Sequence, residues 1–250
     1  MSGFDIAEAL TALDEGRPLV LPRMKLARVV IHGQVVKFCT GLTRDLIQNR
    51  QRGGAFYEQD DLDHIRQYIK KDAHVLDIGS NVGNHMLYFA KIAGAQRIVV
   101  IEPNPKAIAL LVGNVVVNDL LEVVDMSALG IGLSDVAAQG LTVTVPERNL
   151  GGGKLTPGGD IAVCRGDDLF GGETPDLIKI DVEGMEMKVL CGLEETIARS
   201  RPAIFVEVDN AHLAPFAEWC NIHDYQVLFE HRRYKANKNF FVSPNEKAPT

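Results

Sequence analysis

With 250 residues, 46% of them hydrophobic and 24% charged, the chain can bury one sizeable core and has little room for two full domains. A formal net charge of −7 and a pI near 5.5 disfavour a surface built to neutralise runs of phosphate, so a long RNA or DNA is not the expected partner. Cys39, Cys164, Cys191 and Cys220 are scattered, with no CxxC pair and no zinc-ligand spacing, and the first residues lack a basic and then apolar leader. The expectation is a soluble, cytoplasmic protein with reduced thiols. The apolar stretch from Leu19 to Ile31 is broken by Pro22, Arg23, Lys25 and Arg28, and no membrane span is expected.

In chain order, residues 4 to 15 carry apolar Ile6, Leu10 and Leu13 at helical spacing, and a strand-turn-strand pattern runs from Val29 through Gly33 toward Phe38. Residues 1 to 55 thus read as a helix and strand cap, and residues 56 to 245 as the main domain. A helix is expected over Asp60 to Lys71, then a buried strand at His74 to Ile78. After it come a helix near Val82 to Ala93, a strand at Arg97 to Ile101 and a helix at Pro105 to Asn118. Strands follow near Val123 and Leu129. Alternation over Leu141 to Val145 suggests a hairpin arm, and the glycine-rich stretch Arg148 to Asp160 reads as a mobile surface loop. A strand at Leu177 to Asp181, a helix through Val189 to Arg199 and a strand at Ala203 to Val208 complete the core. One further helix and a final strand pair run through Trp219 and Phe229 to Phe241. This rhythm predicts an α/β fold with a doubly wound, mostly parallel sheet.

The sharpest motif is VLDIGSNVGNHMLYF at Val75 to Phe89, where a buried strand ends in an acid and turns through Gly79 and Gly83 into a helix. Glycine there permits positive φ and close approach of a ligand, and a helix start offers free N–H groups. The spacing Asp77-x-Gly79-x-x-x-Gly83 departs from the G-x-G-x-x-G of dinucleotide binders, which disfavours a dehydrogenase. Glu102, at the tip of the next strand, is suited to accept hydrogen bonds from both hydroxyls of a ribose. Asp77 is suited to an ammonium group, directly or through water. Taken singly, the glycines are ordinary turn residues and the acids ordinary strand-end caps. Asn104 and Pro105 also form a common helix start.

These residues give the chain a resemblance to the FkbM family of methyltransferases. It is carried by LDIGSNVGN at Leu76 to Asn84, IEPNP at Ile101 to Pro105, DLIKIDVEGMEMKVLCG at Asp176 to Gly192 and RPAIFVEV at Arg201 to Val208. The resemblance implies a Rossmann-like class I fold, S-adenosylmethionine as cofactor and transfer chiefly to hydroxyl oxygens. It places Asp77, Gly79, Asn81, Gly83 and Glu102 around the cofactor, with Ser80, Asn84, Pro103 and Asn104 in the same two blocks. Ser80 stands where the family commonly has alanine, and His85 where an aromatic residue is frequent. Ser127 and Ala128 fall at the strand end expected beside the adenine. Gly54 to Glu58 matches an upstream element that either closes over the cofactor, through Glu58, or forms a packing corner.

Methyl transfer to a hydroxyl requires the oxygen in line with the methyl and a group to take its proton. Lys179, Asp181 and Glu183 come near the carboxyl end of a central strand, the edge where open α/β sheets place ligands. If the strand continues, Asp181 and Glu183 share a side, to act as a base and its partner or to hold a divalent cation such as magnesium, with Glu207 joining them. The alternative is that Asp181 caps a helix starting at Gly184 and Glu183 sits in its dipole. Lys179 reads as an ion-pair partner of Asp181 or Glu207, or as a substrate contact, and His85 as packing. The expected acceptor is a small molecule or glycan, a sugar or polyketide-like hydroxyl. A homodimer is left open. A catalytically inactive cofactor-binding interaction protein and an RNA methyltransferase are the competing readings.

Overall fold

The computed structural model describes residues 4–41, 45–146, 150–232 and 235–245. Helix α1 (Ile6–Asp14) starts at Asp5, whose carboxylate accepts the Glu8 N–H at 3.0 Å. Strands β1 (Lys25–Ile31) and β2 (Gln34–Thr40) form an antiparallel hairpin, followed by short helices α2 (Leu46–Arg52) and α3 (Gln59–Ile65). The alternating part then runs β3 (His74–Ile78), α4 (Asn84–Tyr88), β4 (Arg97–Ile101), α5 (Pro105–Val117) and β5 (Val124–Asp125). Strands β6 (Ile131–Ser134), β7 (Ala138–Thr144), β8 (Lys154–Pro157) and β9 (Ile161–Arg165) lead to α6 (Gly166–Phe170). The remainder is β10 (Leu177–Ile180), α7 (Glu186–Gly192), α8 (Glu194–Ser200), β11 (Ala203–Asp209), α9 (Leu213–Ile222), β12 (Tyr225–His231) and β13 (Asn237–Pro244).

Seven strands make the central sheet, in the order β12-β13-β11-β10-β3-β4-β5, and only β13 runs against its neighbours. Side chains alternate between its two faces. Val75, Ile98 and Val100 pack against Leu87 of α4 and Ile108 and Leu111 of α5. Leu76, Ile78 and Ile178 pack against Val189 of α7, Ile197 of α8 and Phe216 of α9. Helices on both faces make the sheet doubly wound, as the sequence rhythm predicts. Ile31, Val36 and Phe38 of the N-terminal hairpin share the first of these cores.

Several local expectations change. The helix expected to reach Lys71 ends at Ile65, with a 3-10 turn over Arg66–Tyr68, and α2 and α6 had no clear apolar stripe to announce them. The helix after β3 loosens into a π turn at Phe89–Ala93 before Gly94. The helix expected through Arg199 is two, divided at Leu193. The largest correction concerns the glycine-rich stretch. Its residues 154–157 form β8, antiparallel to β7, and β6-β9-β7-β8 make a second, four-stranded sheet. Arg148 and Asn149 lie outside the described residues. Among the described residues, no helix is long and apolar enough to cross a membrane.

Candidate functional site

The turn after β3 is held by backbone. The N–H groups of Gly79 and Ser80 both donate to Ile101 O of β4, at 2.9 and 3.0 Å, and Gly83 N–H donates to Ser80 O at 2.8 Å. Most of its donors therefore serve the protein. Gly79 has φ +74°, and a Cβ there would stand 1.8 Å from the carbonyl oxygen of Asp181. Gly83, at φ +81°, faces the tip of Met86 and Leu111 of α5. What excludes a side chain at both positions is thus the fold itself, where the sequence suggested ligand approach.

Parallel register places Lys179 of β10 beside Asp77 of β3. Both are buried, and Lys179 Nζ stands 3.1 Å from Asp77 Oδ1, 2.6 Å from Gly79 O and 3.3 Å from Ile78 O. Burial lowers the ammonium pKa, but Asp77 and then Asp181 more than offset it, leaving Lys179 above its ordinary value. Asp77 does not line the cleft, and its counter-ion is Lys179, so the direct ammonium role suggested by the sequence is not the one the geometry provides. Lys179 pairs with Asp77 where the sequence suggested Asp181 or Glu207.

Glu102 stands at the tip of β4. Its Oε2 accepts the Asn81 N–H at 2.7 Å and its Oε1 the Asn104 N–H at 2.8 Å. Burial pushes the carboxyl up to about 7, against the lowering effect of those two N–H groups. Glu102, Gly79, Asn81, Pro103 and Asn104 line one wall of a cleft open to solvent. The far wall is apolar, with Leu133 from β6, Val143 from β7 and Leu155 from β8. Asn104 Nδ2 and Asn81 Oδ1 are buried in this region without a hydrogen-bond partner.

Asp181 and Glu183 line the same cleft. The strand stops at Ile180 and Glu183 takes φ +47°, so the two are not on one side of a continuing strand. Nor does Asp181 cap a helix at Gly184, since α7 begins at Glu186. Asp181, Glu183 and Glu207 of β11 nevertheless converge, each offering a carboxylate oxygen within 4.8 Å of the others, a spacing that a divalent ion can span. Burial first, and then Asp181, push Glu183 up to about 7. Glu207 is raised further, by burial and then by Asp181 and Glu58, and is hydrogen-bonded to Asp181. Asn81 and Glu183, both on the cleft, have positive φ, as do six other non-glycine residues elsewhere among the described residues.

The remaining predicted residues lie outside the cleft wall. Ser80 is buried, with Oγ donating to Asp77 O at 2.5 Å. Asn84 ties α4 to the upstream segment, accepting the Tyr57 N–H and donating to Tyr57 O, both at 3.0 Å. Glu58 lies 3.4 Å from His85 Nε2, beside a separate hollow. Ser127 is exposed and donates its N–H to Asp125, while Ala128 is buried in the core, so neither lines the cleft. The wall that replaces them, Leu133, Val143 and Leu155, escaped sequence reasoning. The alternation over Leu141 to Val145 was its only signal.

A central sheet of this order, with its cleft outside the carboxyl ends of β3, β4 and β10, is the fold of the Rossmann-like methyltransferases. The family model described as the methyltransferase FkbM domain matches residues 77–235, and the chain belongs to that family. Methyltransferase FkbM from Methylobacillus flagellatus KT is 21% identical with a TM-score of 0.50, over 68% of this chain and 43% of that one. The M. jannaschii tRNA m1G37 methyltransferase is 14% identical with a TM-score of 0.53, over 92% of this chain and 60% of that one. The chain thus spans less than two thirds of either. No curated protein matches it.

Proposed function

We propose that this protein transfers the methyl group of S-adenosylmethionine to a hydroxyl oxygen of a small molecule or glycan, of the sugar or polyketide-like kind. The observation that carries the reading is Glu102, a buried carboxylate at a strand tip whose two oxygens are fixed by backbone N–H groups. Each oxygen keeps a lone pair for a ribose hydroxyl. The rest of the cleft fits the same ligand. Asn104 Nδ2 and Asn81 Oδ1 are a donor and an acceptor without protein partners, and Leu133, Val143 and Leu155 suit the faces of a planar base.

The bound cofactor supplies an electrophilic methyl on a cationic sulfur. The chain's own task is to seat the acceptor and take its proton. Glu183 lines the cleft with a pKa near 7, where a base is ionised often enough and still holds a proton firmly. Asp181, hydrogen-bonded to Glu207, lines the cleft beside it.

The test is calorimetry with S-adenosylmethionine and its demethylated product, then methyl-release assays on sugar, polyketide and RNA pools, with and without magnesium. Turnover on hydroxyl compounds is the expected result. Absence of cofactor binding overturns the reading, and binding without turnover in any pool replaces it with the inert module. The magnesium arm reports whether the three carboxylates take a divalent cation.

A further inference from the structure

Residues 150 to 155 join the two walls of the cleft, and Leu150, Gly151, Gly153 and Leu155 all line it. At one end Leu150 packs on a small apolar cluster, Val82 from the turn after β3 with Ala107 and Leu110 of α5, beside the wall that carries Glu102 and Asn104. Its N–H donates to Asp45 Oδ2 at 2.8 Å, a bond between residues 105 apart in the chain. Asp45 is buried, and its Oδ1 accepts the Gln48 N–H at 3.0 Å as the N-cap of α2. At the other end a Cβ on Gly153 would stand 2.7 Å from Val143 of the far wall, and four residue pairs from Lys154 to Pro157 knit the chain onto β7. The two attachments are unequal. A ladder of strand pairing holds one end, whereas among the described residues one hydrogen bond and one leucine hold the other.

We propose that residues 150 to 153 are a strap across the cofactor cleft, fastened and released at the Leu150 end, and that Asp45 is its clasp, a positioning residue that acts on the cofactor only through Leu150. What passes beneath the strap rests on the cofactor reading; how the strap is fastened does not. A nucleoside held between two walls that one run of chain connects enters or leaves when the run lets go of one wall, and the weaker end lets go first. Gly151, Gly152 and Gly153 put no side chain on the run, so it swings from the β8 end with little steric cost. The clasp is itself anchored to the turn it closes against, because Gln51 of α2 donates to Asn84 Oδ1 at 3.3 Å and Asn84 opens α4. Both partners of the clasp belong to the chain, so the same opening step precedes entry and exit. Loosening it speeds both by the same factor and leaves the dissociation constant in place, which separates a gate from an ordinary pocket wall.

The experiment is the kinetics of S-adenosylhomocysteine binding, by surface plasmon resonance, to the full chain and to Asp45→Ser, with amide hydrogen exchange of both proteins free of ligand. Serine caps a helix about as well as aspartate but has one oxygen, so α2 keeps its cap and Leu150 loses its acceptor. Association and dissociation are both expected to rise at least about tenfold, the factor one hydrogen bond to a carboxylate supplies, with the dissociation constant within about threefold. Unchanged rates overturn the proposal, as does weaker affinity carried by dissociation alone, which marks a plain structural contact. Without ligand, the Leu150 amide is expected to exchange faster in Asp45→Ser while the amides of the β7–β8 ladder hold. Exchange of Leu150 and that ladder together in the wild type overturns the strap as a unit that opens alone. If Asp45→Ser does not fold, Leu150→Ala, which shortens the apolar half of the clasp and leaves α2 untouched, carries the rate test. Failure of the wild type to bind S-adenosylhomocysteine sinks the methyl-transfer reading and leaves the exchange pattern to decide the strap. Binding with unchanged rates sinks this inference alone.

Discussion

Replacing Glu102 by Gln tests the cofactor pocket at its centre. The ionised carboxylate serves four hydrogens in the proposed complex, the N–H groups of Asn81 and Asn104 and two ribose hydroxyls. Gln keeps one acceptor oxygen and turns an NH2 toward a backbone N–H, so charge and one acceptor are lost together. At about 1.5–3 kcal/mol for a hydrogen bond to a charged group, affinity for S-adenosylhomocysteine should fall about a hundredfold by calorimetry at pH 8. A pH series adds a second arm. Glu102 titrates near 7, so wild-type affinity should weaken about tenfold between pH 8 and pH 6, and the variant should be flatter over that range. Glu183 titrates in the same region and is present in both proteins, so the difference between the two profiles isolates Glu102. Dissociation constants within about twofold at pH 8, with parallel pH profiles, would refute the ribose assignment.

Other expectations follow from the same geometry. Glu183 and Glu207 hold their protons more tightly folded than unfolded, so the stability they lend is complete below about 4.5 and is lost as pH rises through their folded values. Glu207→Gln, whose amide can still donate to Asp181, should therefore raise the melting temperature by about 2–6 °C at pH 8 and hardly at pH 5, by scanning calorimetry. Lys179→Met strands Asp77 in the core and should cost about 3–5 kcal/mol in urea unfolding, much of it recovered when Asp77→Leu is added. Gly79→Ala drives a Cβ onto the Asp181 carbonyl at positive φ and should abolish soluble expression, whereas Gly83→Ala meets first the movable end of Met86 and should lower the melting temperature less. Glu183→Ala should leave cofactor affinity within about twofold while slowing methyl release at least about a hundredfold, the scale of a lost general base; equal rates would move the base elsewhere.

The central sheet was legible because its strands are short continuous apolar runs separated by helix-length segments. Glu102 was legible because the acid follows such a run directly. Asp77 was not. Its role depends on Lys179, about a hundred residues away, and only the β3–β10 register brings the two together. The apolar wall of the cleft was missed for a related reason. Leu133, Val143 and Leu155 sit on three strands of a small sheet whose pairing depends on β8, and β8 is embedded in glycines that locally favour a loop. Convergence of Asp181, Glu183 and Glu207 was anticipated, but through a continuing strand that the left-handed turn at Glu183 interrupts. His85 was read as packing because it falls on the first turn of a helix, and it is buried there against Phe89 and Phe205.

The carbonyl of Asp181 occupies the space where a side chain on residue 79 would begin. The turn after β3 and the segment that presents Asp181 and Glu183 are therefore keyed into one another at this contact. Under the proposed function, that contact would set the distance between the cofactor cleft and its acids at the level of the sheet. Diversification toward new acceptors would then fall to the small sheet opposite, which lines the cleft through Leu133, Val143 and Leu155 without sharing that joint.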